Sequence, residues 1–306
     1  MIGEMFGWTD RFHNPLVALF QFDWLNLPQL GSRHGEEVDM LLNSVHFVML
    51  LLFVGWIGYL FFTLWRFSAK RHPRANPAGV KTIVFALVVG IVVIDEAVTL
   101  FGYGIPYWNK NVANYPKEED STVVRVTAEQ FTWNSRYAGK DGKFGAQDHT
   151  LVSASNPQGY IPGDPAGKDD VVPPLKDIRV PLESVDADGD GVQDVDSSGR
   201  PLFKPVIIHL TSKDVIHSFK VLPLRICQDA IPGMSIPLHF MPTQTGKYMI
   251  TCAQLCGNGH ATMVGWLTVM DNQPQLDEDG TVIAPGAFDQ WQALHLVGDG
   301  VQQSFE

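Results

Sequence analysis

The stretch Thr251-Cys-Ala-Gln-Leu-Cys-Gly-Asn-Gly-His-Ala-Thr-Met-Val-Gly265 concentrates more ligand chemistry than any other part of the chain. Cys252 and Cys256 are separated by three residues, three more lead to His260 and two more to Met263, while His217 in Asp-Val-Ile-His-Ser-Phe precedes Cys252 with 34 residues between them. Thiolate, imidazole and thioether together form the donor set that soft copper prefers. Two cysteines four positions apart in a short loop can bridge two metal ions, with a histidine and one weaker donor completing each side. Two other readings stay open at this point. A Cys252–Cys256 disulfide suits an oxidising compartment but leaves both histidines and the methionine without a task. A zinc site of two cysteines and two histidines would want no methionine and ordinarily uses closer cysteine spacing. Cys227, alone in Leu-Arg-Ile-Cys-Gln-Asp-Ala, is expected to be a small buried apolar residue.

Outward from this loop, short β-rich runs are punctuated by Gly, Pro, Asn and Asp. Residues 123–126, 206–210, 219–222, 247–251 and 264–270 read as strands bounded by turn residues, which predicts a small antiparallel sandwich or barrel. Residues 138–204 are polar and rich in Gly and Asp, and read as an insertion on the β core. Within it, Asp-Ala-Asp-Gly-Asp-Gly-Val-Gln-Asp-Val-Asp places Asp186, Asp188 and Asp190 at positions 1, 3 and 5 of a calcium loop, Gly191 at the turn and Asp194 at position 9, with Asp196 as a further candidate ligand. Ser197 occupies position 12, where an EF-hand needs a bidentate Glu, so the loop is a shorter Asp-rich type with a structural role, or else a solvated acidic turn. From about residue 272 a tail begins, in which 287–296 reads as one short amphipathic helix and the last ten residues as loosely held.

Towards the N-terminus the physics changes. Residues 40–65 contain no Asp, Glu, Lys or Arg, and these 26 residues exceed the roughly 20 that an α-helix needs to cross a bilayer core. A second apolar run, 82–106, is interrupted only by Asp95-Glu96. Counting ~1.5 Å per residue places Asp95 about 20 Å along that helix, past the centre of a ~30 Å core, which suits an interfacial pair or a bond to a partner subunit. Arg66, Lys70, Arg71, Arg74 and Lys81 lie between the runs with no acid among them, so that loop is expected in the cytoplasm and both termini outside. The start lacks a basic n-region and a small-residue cleavage site, so the first span is read as an uncleaved insertion signal, with residues 12–30 along the membrane surface. The expected division is thus 1–38, an extracytoplasmic and interfacial segment; 39–107, a transmembrane helical hairpin; and 108–306, the β domain. Residues 108–306 hold 25 of the 33 acids and 15 of the 22 bases, a balance that argues against a nucleic-acid partner and suits a basic soluble one.

The two spans, the β domain and the Cys252–Met263 loop together resemble subunit II of the haem-copper cytochrome c oxidases. Asp229-Ala-Ile-Pro-Gly233 also resembles that family's loop after the first histidine strand. The resemblance implies a two-helix transmembrane hairpin plus an all-β, cupredoxin-like Greek-key sandwich in a bacterial inner membrane. It implies a binuclear copper centre (CuA) bridged by Cys252 and Cys256, with His217 and His260 each on one copper, Met263 a weak ligand to one and the Gln254 backbone carbonyl its counterpart on the other. An external donor such as cytochrome c would supply electrons, and haem in subunit I would receive them for oxygen reduction coupled to proton translocation, with subunit III a further partner. The chain would then be a subunit of an enzyme whose oxygen chemistry lies elsewhere. A nitric oxide reductase subunit and a membrane-tethered copper-delivery protein are the alternatives.

Four positions depart from the family's pattern. Gln254 replaces a common Glu whose side chain serves a magnesium site at the subunit I interface, and a neutral amide is a poorer ligand for that ion. In Ala-Glu-Gln-Phe-Thr-Trp the tryptophan expected after Gln130 is Phe131, with Trp133 two residues on; these two aromatics mark where electrons would arrive. No acid lies between Arg66 and Ile94 to feed protons to subunit I, and Met234 replaces a frequent Arg. No Cys-x-x-Cys-His occurs, so the chain carries no fused c-type haem.

Overall fold

The computed structural model describes residues 27–68 and 82–297, apart from 154, 155, 157, 187–191, 197, 198, 278 and 280. It forms two compact units, one comprising Leu27 and Glu36–Asn114, the other Pro28–Gly35 and the chain from Tyr115 onward. In the first, α1 spans Gly35–Arg66, with Glu36 and Glu37 in its first turn and Arg66 in its last, the charge order that the helix dipole favours. Helix α2 spans Thr82–Thr99 and continues through a π-helical turn Leu100–Gly104, an α-helical turn Ile105–Trp108 and a second π-helical turn Asn109–Ala113. The sequence places its end at Pro106, yet it runs seven residues further. Wider turns flank Pro106, whose ring removes a backbone donor, and such turns let the helix pass it without breaking. Glu37 bonds Lys110 and accepts from Asn111 at 2.8 Å, which joins the start of α1 to the end of α2 and makes the pair a hairpin. Both 32-residue helices are long and apolar enough to cross a membrane, and side chains such as Phe53, Trp56 and Ile94 stand exposed on them, as lipid or another apolar partner requires. Asp95 and Glu96 lie on α2; the basic residues 70–81 and the segment 1–26 lie outside the described residues.

The second unit is a sandwich. Strands β1 (Thr122–Glu129), β2 (Thr132–Tyr137), β4 (Val206–Ser212) and β7 (Ile236–Phe240) form one sheet in the order β2-β1-β4-β7. The other runs β3-β9-β8-β5-β6, from β3 (Asp177–Leu182), β5 (His217–Val221), β6 (Ile226–Ala230), β8 (Gly246–Cys252) and β9 (Val264–Asp271). Alternating residues such as Val124, Val126, Ile208, Leu210, Phe219, Ile250 and Leu267 close the core between them. The topology is cupredoxin-like but not purely antiparallel as expected, because β1 pairs β4 and β3 pairs β9 in parallel. Both parallel pairs join strands far apart in sequence, the long crossover that a parallel pair needs. Strand β3 lies inside the stretch read as an insertion, so residues 138–204 are two loops around a strand of the sandwich.

Of the last ten residues only Val297 is described, and the tail up to that point is held on the β unit. After the small hairpin β10 (Gln275–Leu276) and β11 (Val282–Ala284), α3 (Ala287–Ala293) packs Phe288 and Trp291 edge-on to Tyr137, and Val297 donates to the Asp170 carbonyl at 2.9 Å. Burial pushes the Tyr137 phenol far above its usual range. Cys227 is exposed, contrary to the expectation of burial: β6 is an edge strand and Cys227 points away from the core.

Candidate metal centre

Strand β5 starts at His217 and β8 ends at Cys252, and the antiparallel pairing of Phe219 with Cys252 brings the two starting ligands to the same end of the sheet. The chain then loops through residues 253–262, turns once at His260–Thr262 and delivers Met263 just before β9. His217 Nδ1 lies 3.1 Å from Met263 Sδ and 4.0 Å from Cys252 Sγ. The Cys256 thiol lies 3.8 Å from Cys252 Sγ, 3.7 Å from Met263 Sδ and 3.6 Å from His260 Nδ1, and the Gln254 carbonyl oxygen is 3.0 Å from Cys252 Sγ. All six groups singled out in the sequence therefore converge, with the His217, Cys252 and Cys256 ligand atoms within 4.8 Å of one another.

This geometry bears on the readings of the loop. Both cysteines are free, and 3.8 Å is nearly twice the ~2.05 Å of a disulfide bond. A thioether inside the donor cluster is foreign to structural zinc and suits copper. Two sulfurs side by side, with an imidazole and a weaker donor beyond them, fit a bridged metal pair. His217 and Met263 are fully buried and both cysteines nearly so, while His260 is partly buried and Gln254 exposed; burial, together with Cys252, pushes the Cys256 thiol up to about 11. Metal binding must therefore displace a firmly held proton.

Residues that the sequence did not single out orient the ligands. Asp214, in the turn before β5, accepts from His217 Nε2 at 2.8 Å, which fixes the tautomer and leaves the Nδ1 lone pair facing the sulfurs. Burial works to raise the Asp214 carboxyl, but hydrogen bonds from His217 and from the Gln130 and Val215 amides outweigh it and hold the group below the usual carboxylate range. The Gln130 amide donates to Asp214 at 2.8 Å, and its side chain donates to the Cys256 carbonyl. One turn thus braces both a histidine and a cysteine ligand. The nearest sequence signal was an acid three residues before His217.

The two aromatics separate. Phe131 is partly buried and lies flat against the ligand loop, where a Cβ added to Gly259 would stand 2.4 Å from its ring. Trp133 is fully buried beneath the site, its ring 6.2 Å from that of His217. Of the acidic-loop residues, Asp188 and Asp190 lie outside the described residues, as does Gly191. Asp186 and Asp194 are described, while the Asp196 carboxylate is bonded by Arg33 and by Arg200 at 3.1–3.2 Å. Two guanidiniums on one carboxylate leave Asp196 poorly placed to ligate a cation as well.

Comparison with known proteins agrees with this chemistry. Residues 178–269, from β3 to β9, match the family model for the periplasmic domain of cytochrome c oxidase subunit II. The crystal structure of the periplasmic domain of subunit II of cytochrome oxidase from Bradyrhizobium japonicum is 21% identical, with a TM-score of 0.34, covering 59% of this chain and 95% of that one. Cytochrome c oxidase subunit 2 of Cereibacter sphaeroides is 26% identical over 204 residues, 66% of this chain and 61% of the relative. Alternative cytochrome c oxidase subunit 2 of Bradyrhizobium diazoefficiens is 30% identical over 228 residues, 74% of this chain and 73% of the relative. With that identity sustained along both proteins, and the matched domain carrying the thiol, imidazole and thioether cluster, the chain belongs to the cytochrome c oxidase subunit II family.

Proposed function

We propose that this subunit holds a binuclear copper centre on His217, Cys252, the Gln254 carbonyl, Cys256, His260 and Met263, and relays electrons from an external donor such as cytochrome c to haem in subunit I, for oxygen reduction coupled to proton translocation. The observation that carries this reading is the convergence of two free thiols, two imidazoles and a thioether in one cluster. When bound, the copper pair supplies one-electron redox chemistry. The protein's part is to keep the ligands still: β5, β8 and β9 fix them from three sides, and Asp214 and Gln130 lock His217 and Cys256. Phe131 is the aromatic placed to meet a donor, with Trp133 behind it in the core. Copper-loaded full-length protein should hold two coppers per chain and give a mixed-valence signal in electron paramagnetic resonance. One copper per chain, or no such signal, would sink the proposal.

Burial of His217, Cys252, Cys256 and Met263 favours relay over copper delivery, which needs an accessible and exchangeable site. Assay of the assembled complex with both gases separates oxygen from nitric oxide reduction. Both termini and the β unit are placed on the periplasmic side of the bacterial inner membrane, with subunit I and subunit III as partners. The neutral Gln254 side chain makes magnesium at the subunit I interface a weak feature of this oxidase. Calcium in the 186–194 loop is retained as a structural proposal without Asp196: it predicts a rise in thermal midpoint on adding calcium, abolished by Asp186→Asn, and an unchanged midpoint would remove it.

Asp214→Asn leaves the fold intact but weakens the acceptor that orients His217. Copper affinity, measured by competition with a chelator, should fall about 10- to 100-fold, the usual scale for partners that orient metal ligands.

A further inference from the structure

On the outer face of the β2-β1-β4 sheet the register sets three basic side chains in one row: Arg136 lies directly opposite Arg125, and Arg125 beside His209. Like charges paired across strands cost stability, so such a row needs a compensating anion. Asp170 compensates Arg136, and Glu118 bonds His209 at 2.8 Å. Arg125 between them feels both acids but is bonded by neither among the described residues. Its guanidinium stacks 3.9 Å from the Phe144 ring centroid, and the residue is exposed. Burial, with Arg136 adding to it, lowers its hold on the proton, partly offset by Asp170 and Glu118.

These residues line a groove of about 1230 Å³ between the sheet and the loop that precedes β3. Its acids are already engaged: Glu118 with His209, Glu119 with Lys117, Glu183 with Lys204, and Asp289 with the Asn272 amide. Of its basic residues, Lys204, His209 and Arg136 are engaged too, but three are not. Among the described residues no ion pair or side-chain hydrogen bond holds Arg125, Lys140 or Lys143, although residues 108–306 carry 25 acids against 15 bases. A second observation points the same way. Arg136, which also lines the groove, is 1% exposed, and its Nη1 has no acceptor among the described residues, as Oδ1 of its partner Asp170 has no donor. A buried donor without a partner is unfavourable until an oxygen, direct or through water, reaches it.

We infer that this groove binds a phosphate-bearing anion, with Arg125, Lys140 and Lys143 as its contacts and Arg136 at its floor. A phosphate group at neutral pH carries ≈ −1.5 to −2 charge and three acceptor oxygens, enough for several cations at once, where a single carboxylate brings one charge. Arginine's planar fork suits phosphate oxygens two at a time. The site is separate from the copper ligands, so it stands or falls independently of the relay proposal.

The test is calorimetric titration of inorganic pyrophosphate into the copper-loaded full-length chain. Expected is saturable binding at one site, weakened about tenfold or more by Arg125→Gln and further by Lys140→Gln with Lys143→Gln, as loss of charge-assisted bonds requires. Each variant should keep its copper resonance signal, which shows it folded. Nanodiscs made with and without phosphatidylglycerol identify the source: competition with pyrophosphate that depends on Arg125 assigns the groove to a lipid headgroup, and its absence to a soluble phosphate. No saturable binding, or equal affinity in all variants, overturns the inference.

Discussion

Cys256→Ser is expected to empty the copper centre and to reduce donor-driven oxygen consumption by the assembled oxidase more than about a hundredfold, beyond the 10- to 100-fold that loss of an orienting partner alone produces. Serine is close to cysteine in volume, and Cys256 is 4% exposed within a braced loop, so the loss acts through ligand chemistry rather than collapse. The sulfur sits at the crossing of the cluster, within 3.8 Å of Cys252 Sγ, Met263 Sδ and His260 Nδ1. An alcohol there is neither soft nor ionised near neutrality, and no bridge between two metals remains. Two comparisons isolate the cause. Cys227→Ser removes an exposed thiol outside the cluster and should leave both copper content and turnover unchanged. Met263→Leu removes only the thioether and should retain copper with an altered spectrum, as for a weak axial donor. The measurements are copper per chain, the resonance signal and oxygen uptake; full turnover in Cys256→Ser would contradict the assignment of Cys256 as a bridge.

The ligand cluster was legible because its residue types are chemically uncommon and four of them fall between residues 252 and 263. Only His217 had to be found at a distance, and antiparallel pairing of β5 with β8 explains why it belongs. Asp214 and Gln130 were not legible. Acids and amides are common in turns, and their role arises only where the β1–β2 and β4–β5 turns meet over the ligand loop. The same contrast runs through the fold. Apolar strands such as 206–210 and 264–270 announced themselves, whereas β3 and β7 carry Pro181 and Pro237, and β2 reads Thr-Trp-Asn-Ser-Arg-Tyr. Proline is a strong argument against a strand in sequence terms, yet both proline strands lie at sheet edges, where a missing donor faces no partner. Strand β2 is buried despite its polarity, and several of its polar groups find partners, as in Ser135 to the Asp177 carbonyl at 3.1 Å and Arg136 to Asp170, although others such as Asn134 Oδ1 have none among the described residues. The helices were the plainest feature, since a bilayer demands length and apolarity that few other constraints mimic.

Asp170→Ala should cost the β unit about 3–5 kcal/mol, the largest stability effect expected outside the metal site. Asp170 is fully buried and Arg136 is 1% exposed. The carboxylate accepts from Arg136 Nε at 3.0 Å and from Arg136 Nη2 as well, and takes the Gly145 amide at 3.1 Å. This one side chain pins the loop before β3 onto β2. Its removal leaves a guanidinium buried without a counterion, and that desolvated charge, rather than any loss of attraction, sets the cost. For a unit of this size the thermal midpoint should drop by roughly 2–4 °C per kcal/mol. Burial does not make the pair a strong net stabiliser, so replacing both partners, Arg136→Met with Asp170→Leu, should recover most of the loss. It should not recover all, because the Gly145 amide then lacks its acceptor, a deficit of about 1–3 kcal/mol. The pair is remote from the ligand loop in sequence and contacts none of its residues, so the copper signal of the folded fraction should be unchanged in both variants. Calorimetry on the three proteins checks the order; a double variant less stable than Asp170→Ala would show that the ion pair itself, and not the orphaned charge, carries the energy.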